Sequence, residues 1–197
     1  MEKSVMVVGL DDSDCSFYAL EWTLQHFFLS TPPETPLFKL VVVHAKPSPV
    51  SAVGLVGPVL PERTANGQRL RSLVLINEGR LFQTSSLDYI IEPEEKGTAD
   101  VIPYVDADLK KIAARVLDKA KETCTAKSVK DVTFEVVDGD ARNVLCEAVE
   151  KHHASVFVVG SHGYGAIKRA VLGSVSDYCA HHAHSSVMIV KRPKIKH

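Results

Sequence analysis

Residues 156–176 read Val-Phe-Val-Val-Gly-Ser-His-Gly-Tyr-Gly-Ala-Ile-Lys-Arg-Ala-Val-Leu-Gly-Ser-Val-Ser. The first four residues are continuously apolar, as in a strand covered on both faces. The run stops at Gly160, a glycine-rich loop follows through Gly165, and Gly173-Ser174-Val175-Ser176 opens a helical stretch. Glycines let a backbone pass close to a bulky anion, and backbone N–H groups at a helix start supply donors for phosphate oxygens. The segment therefore predicts strand, loop and helix with a phosphate-binding chemistry. Its other reading is a strand exit followed by an ordinary helix cap.

The same kind of apolar run recurs on both sides. Val5–Val8 ends at Gly9, Leu40–Val43 closes with His44 and Ala45, and Val187–Val190 lies near the C-terminus. Val132, Phe134 and Val136 alternate with polar residues as a further strand. Between the strands run helical stripes: Phe17, Leu20, Leu24 and Phe27 after a Ser13 or Asp14 cap, Val105 to Cys124 from Tyr104 onward, and Val144, Leu145, Ala148 and Val149 after the Asp138-Gly139-Asp140 turn. Strands alternating with helices, most strands too apolar for an exposed face, predict an α/β fold with a mostly parallel sheet.

Residues 59–97 do not share this rhythm. Leu73–Ile76 and Tyr89–Ile91 are candidate short strands without a persistent period, and the connection from Lys46 to Pro103 approaches sixty residues. Structureless links in compact domains rarely exceed about 12–15 residues. The chain is therefore expected to be a single domain over 1–197 interrupted by an irregular insertion. That insertion reads as a lid over the pocket or, preferably, as a disordered segment or a retained intervening sequence.

Composition narrows the function. The 197 residues carry 23 Lys and Arg against 24 Asp and Glu, a net charge of -1, so a general polyanion binder and a nucleic-acid partner are not expected. No stretch reaches the roughly 18 apolar residues of a membrane span. The N-terminal apolar run lacks the length and cleavage site of a signal peptide. The four scattered cysteines, Cys15, Cys124, Cys146 and Cys179, read as reduced thiols. A cytoplasmic protein, also nuclear, is the expectation.

Two phosphate motifs fail. No Gly-Lys-Ser/Thr exists for a Walker loop, and a dinucleotide fingerprint would need glycine where Lys168 stands. No Ser-His-Asp or Cys-His set can be assembled, so no nucleophile is assigned. His181, His182 and His184 invite a metal reading. Only His181 and His184 share a helix face, and interaction with the helix C-terminus is the preferred role for them, as for His152 and His153. No metal ligand is assigned. Tyr164 reads equally as a base-stacking or an ordinary loop aromatic, and Lys168 and Arg169 as phosphate partners or solvated cations.

What does match is Gly160, two residues, Gly163, nine residues, then Gly173 and Ser174. This spacing resembles the ATP-binding signature of the universal stress protein family. Val7-Val8-Gly9-Leu10-Asp11-Asp12-Ser13 resembles that family's opening strand and turn, and Val41-Val42-Val43-His44-Ala45 its second strand. From Tyr104 onward the chain looks most like the plant members. The resemblance covers residues 1–58 and 98–194 and leaves out the insertion.

The resemblance implies an open, doubly wound, five-stranded parallel sheet with helices on both faces, Rossmann-like and similar to the adenine nucleotide alpha hydrolases. It implies ATP or AMP as ligand, with or without Mg2+. Asp11 would lie near the ribose or phosphates, and the backbone at His44 and Ala45 beside adenine. Gly160, Ser161, Gly163 and Gly165 would surround ribose and phosphates, with Gly173, Ser174 and Val175 at the helix entrance. Asp11 keeps a second reading as a turn residue. The implied function is a nucleotide-dependent stress-response regulator, homodimeric through Val187–Lys191 and acting on an unidentified signalling protein. The alternatives are a slow ATP hydrolase or autophosphorylating enzyme using Ser174 or Ser176, and an interaction module with no nucleotide bound.

Overall fold

The computed structural model describes residues 3–29, 37–54, 62–63, 69–70, 74–77, 80–83, 98–161 and 172–193. Four of the sheet strands grow from the continuous apolar runs and one from the alternating run. These are β1 (Ser4–Leu10), β2 (Phe38–Lys46), β7 (Val132–Asp138), β8 (Val156–Ser161) and β9 (Ser186–Lys191). They form one five-stranded sheet in the order β7-β2-β1-β8-β9, every pairing parallel. The helices between them are α1 (Asp14–Thr23), α3 (Thr98–Ala126), α4 (Ala141–Lys151) and α5 (Ser174–His182).

Side-chain alternation explains why these strands are apolar throughout. Met6, Val8, Leu40, Val42 and Val158 point to one face and pack with Phe17 and Leu20 of α1, Leu24 just beyond it, and Val116, Ala120 and Cys124 of α3. Val7, Val41, Val43, Phe157 and Val159 point to the other and pack with Val144, Leu145, Ala148 and Val149 of α4 and Cys179 of α5. Each fully buried Val, Leu or Phe contributes roughly 1.5–3 kcal/mol relative to exposure, so both layers are needed. The open, doubly wound parallel sheet expected from the sequence is the observed one.

Two local features differ from the periodicity. Ser13 caps α1 as expected, its Oγ accepting the Ser16 N–H at 3.2 Å. Beyond Thr23, however, the helix widens into a π-helical turn over Leu24–Phe28, closed by the Leu29 N–H donating to the Leu24 carbonyl at 3.0 Å. Such turns insert one residue without ending a helix. Helix α3 begins at Thr98, ahead of Tyr104, and contains Pro103. A proline removes its own N–H donor and crowds the carbonyl four residues before it, yet the helix continues across Pro103.

The chain divides into two compact units, Met1–Lys46 with Lys111–His197, and Pro47–Lys110. The second contains α2 (Pro49–Gly54), where Ser48 Oγ accepts the Ser51 N–H at 3.2 Å, and a small cluster of Ala52, Val105 and Leu109. It also contains two short antiparallel ladders, β3 (Glu62–Arg63) with β4 (Arg69–Leu70), and β5 (Val74–Asn77) with β6 (Arg80–Gln83). The β5 strand coincides with most of the Leu73–Ile76 candidate, while the Tyr89–Ile91 candidate lies outside the described residues. The expectation of disorder across 59–96 likewise falls mainly on residues outside the described set.

Candidate functional site

The strand order fixes where a ligand can lie. In order of appearance the five strands run 3-2-1-4-5 across the sheet, so the winding direction reverses between β1 and β8. Open α/β sheets offer a crevice outside the carboxyl ends of the strands at that reversal. Leu10 pairs with His44, and Gly9 with both Val43 and Val159. Asp11, His44, Ala45, Gly160 and Ser161 are therefore brought together at one edge of the sheet.

The β1 exit is tightly self-bonded. Asp11 Oδ1 accepts the Ser13 N–H at 2.9 Å, which makes Asp11 a turn-stabilising residue. Ser16, buried in the first turn of α1, was not singled out by the sequence. Its Oγ lies 2.8 Å from the Asp11 carbonyl and 3.0 Å from that of Ser13, and accepts the Asp11 N–H at 3.2 Å. The neighbouring carboxylates are paired with guanidinium groups, Asp12 with Arg115 and Asp14 with Arg192, the latter at 3.0 Å.

At the end of β2, His44 is buried and its Nδ1 lies 2.9 Å from the Leu10 carbonyl. A carbonyl only accepts, so Nδ1 carries the proton and ties the ends of β1 and β2 together. Two residues on, the equally buried Lys46 places Nζ 3.1 Å from Asp138 Oδ1 on β7, and the Lys46 carbonyl accepts the Gly139 N–H at 2.8 Å. Gly139 has φ +149°, which disfavours a side chain there. Lys46 carried no sequence signal, because its partner is set by the β2–β7 register.

Gly160 has a structural reason of its own. A Cβ at this position would stand 2.6 Å from the Cys15 carbonyl oxygen and 2.9 Å from Ser16 Cα. The residue lets the start of α1 sit directly on the end of β8. Ser161 beside it is buried. Gly163, Gly165, His162, Tyr164, Lys168 and Arg169 lie outside the described residues.

After Leu172, Gly173 is the N-cap of α5 with φ -64° and ψ 153°. Glycine has no side chain to satisfy the first N–H groups of the helix. Ser176 Oγ bonds backward, to the Gly173 carbonyl at 3.0 Å. Val175 packs its side chain on the α4 layer, so only its N–H can serve a ligand. Helix starts of this kind attract anions.

The histidines resolve into separate contacts. His182 Nδ1 donates to the Tyr178 carbonyl at 2.8 Å and its ring stacks on Tyr178, His184 meets Glu150 at 3.0 Å, and His152 meets Glu135 at 3.1 Å. Burial raises the Glu135 pKa, and the hydrogen bonds from Lys151 and His152 outweigh it, leaving that carboxyl below its ordinary value. Among the described residues no group of three or more His, Cys, Asp or Glu side chains is arranged to hold a metal ion. No described helix is long and apolar enough to cross a membrane.

An open parallel sheet with a crevice at its winding reversal places the chain among the Rossmann-like α/β proteins. The pattern of the Universal stress protein family matches residues 4–191, and the chain belongs to that family. It is 29% identical over 189 residues to Universal stress protein PHOS34 of Arabidopsis thaliana, a match spanning 94% of this chain and 61% of that protein's length. Two of the solved structures that share the fold illustrate the likeness. One is a universal stress protein family protein from Arabidopsis thaliana with AMP bound, at TM-score 0.55 and 18% identity over 96% of this chain and 92% of that one. The other is a universal stress protein in complex with cAMP, at TM-score 0.54 and 21% identity over 95% of this chain and 96% of that one.

Proposed function

We propose that this chain binds an adenine nucleotide, ATP or AMP, at the carboxyl edge of the sheet between β1 and β8, and regulates a stress response through nucleotide-dependent association with a signalling partner. The observation that carries this reading is the winding reversal, which aligns Asp11, His44, Ala45, Gly160 and Ser161 along one crevice. Adenine would lie against the β2 exit and ribose near Asp11. The phosphates would lie along the loop with Gly163 and Gly165, toward the N–H groups of Ser174 and Val175. The AMP-bound and cAMP-bound relatives support this ligand class. Asp11, Asp12 and Asp14 already have backbone or guanidinium partners, so Mg2+ in this reading would travel on the nucleotide's own phosphates.

In this reading 59–97 is an insertion into one domain, and the protein works in the cytoplasm. The edge strand β9 exposes part of Val187, Met188 and Ile189, which suits pairing with a second copy of the chain. Calorimetric titration of the full chain with ATP and AMP tests the function. The expected result is stoichiometric binding without phosphate release, abolished by Gly163→Val. Absence of binding at millimolar nucleotide would leave an interaction module instead, and turnover lost in Gly163→Val would make the protein an enzyme.

A further inference from the structure

On the α4 layer two cysteines from different helices meet. Cys179 of α5 is fully buried within the cluster, and Cys146 of α4 is half-buried against the same cluster. The helices meet beside them, where Tyr178 Oη donates to Asn143 Oδ1 at 3.4 Å, one turn before Cys146 and next to Cys179, and each thiol is near enough to shift the ionisation of the other. The chain order did not suggest this pairing, because the two residues are separated by the whole of β8 and the glycine loop.

We propose that Cys146 and Cys179 form a reversible intramolecular disulfide in response to hydroperoxides, with Cys146 as the attacking thiol and Cys179 as the resolving one. Two observations set the roles. Cys146 is reachable from solvent, whereas Cys179 is 0% exposed. Burial pushes both thiols up, Cys179 to about 12; the neighbouring Cys179 thiol draws Cys146 back down against Glu150 and Glu147, whereas Cys146 pushes Cys179 further up. Cys146 is therefore the first to ionise, and thiolate is the nucleophile. Burial alone pushes Cys124 up to about 11, and that thiol has no such pairing described.

The chemistry closes as follows. The Cys146 thiolate attacks one oxygen of ROOH; the S–O bond forms, the O–O bond breaks, and its electron pair leaves as alkoxide, which takes a proton to give ROH. The Cys179 sulfur, losing its proton, then attacks the Cys146 sulfenic sulfur. The S–S bond forms, the S–O bond breaks, and hydroxide leaves with that proton as water. Two thiols give up two electrons and two protons, and the peroxide is reduced to alcohol and water. The resulting ring encloses residues 147–178, including β8 and the start of α5. Oxidation would thus tie the second turn of α5 to α4.

The raised pKa of Cys146 makes this a slow response at neutral pH, unlike that of a dedicated peroxidase thiol. The test uses the full chain, hydrogen peroxide and tert-butyl hydroperoxide, followed by alkylation under denaturing conditions. Alkylatable thiols should fall from the four of the sequence to two, a peptide map should show Cys146 joined to Cys179, and dithiothreitol should restore all of them. The rate should not depend on protein concentration. Cys179→Ser should instead leave a sulfenic acid at Cys146 that dimedone traps, and Cys146→Ser should form no intramolecular link. A Cys15→Ser, Cys124→Ser double variant keeps both partners and should oxidise like the parent. A link involving Cys15 or Cys124, a link between two chains, or retention of all thiols under these oxidants would overturn the proposal.

Discussion

Helices α1 and α5 both start at the carboxyl edge of the sheet, but their first turns are treated differently. At α1 the protein supplies its own polar partners: Ser13 caps the helix, Asp11 holds the Ser13 N–H, and Asp14 stands in the first turn. Helix α4 is closed in the same way by Asp140, whose carboxylate accepts the Arg142 N–H and meets the Arg142 guanidinium with both oxygens. At α5 the cap is Gly173, which brings no acceptor. A helix start already facing a carboxylate has little to offer another anion, whereas one without such a group keeps its donors available. The difference separates helix ends closed by the protein's own carboxylates from a start that, in the proposed reading, would face a phosphate.

Four experiments would break or sharpen this contrast. The largest effect is expected from Gly160→Ala, which forces a methyl group into the backbone of Cys15 at the seat of α1. It should lower unfolding free energy by about 1–3 kcal/mol in urea, and an unchanged midpoint would mean that α1 does not rest on β8 as described. Gly173→Asp gives α5 the kind of cap that α1 and α4 have. Nucleotide affinity should drop at least about tenfold, or roughly 1.4 kcal/mol, with no loss of thermal stability. Affinity equal to the parent's would remove α5 from the phosphate site.

Ser13→Ala removes the α1 cap and should cost about 1 kcal/mol of stability while leaving nucleotide binding intact; a matching loss of affinity would place α1 in the site after all. The smallest effect concerns Asp140. The Arg142 side chain, through its hydrogen bonds, holds this exposed carboxyl below its ordinary 3.8. A group depressed on folding stabilises fully above its unfolded value and loses that contribution as pH falls through the folded one. Asp140→Asn should therefore narrow the stability difference between neutral pH and pH below 3.8, as read by thermal melts; an identical pH slope would show that the pair contributes nothing.

The sequence revealed the sheet because its strands are buried on both faces. Runs such as Leu40–Val43 and Val156–Val159 have no polar alternation to confuse with a helix, and a parallel sheet leaves few other uses for them. The exits at Asp11, His44 and Gly160 were legible because they sit at the ends of those runs. What was not legible depends on contacts between distant segments. Ser16 looks like any serine in a helix until the turn beneath it is folded, and Lys46 acquires Asp138 only through the β2–β7 register. Gly160 was read as leaving room for a bulky anion, and nothing local tells that the backbone of Cys15 and Ser16 takes up that room. Cys146 and Cys179 were scattered thiols until α4 and α5 packed together. The π-helical turn and the early start of α3 were missed because periodicity tracks buried residues and does not count hydrogen-bond spacing.

The long connection between β2 and β7 also bears on how the chain reaches its fold. Leu40 must find Val132 across a long stretch of chain before the edge of the sheet can form. Loop-closure entropy grows only logarithmically, so each doubling of a flexible connection costs about 0.6 kcal/mol. The finished protein can thus carry extra length at this crossover with little loss of equilibrium stability. Folding speed is more sensitive, because distant pairings must close their loops before they are rewarded. Shortening this connection should therefore change the rate at which β7 joins the sheet far more than the stability it has once joined.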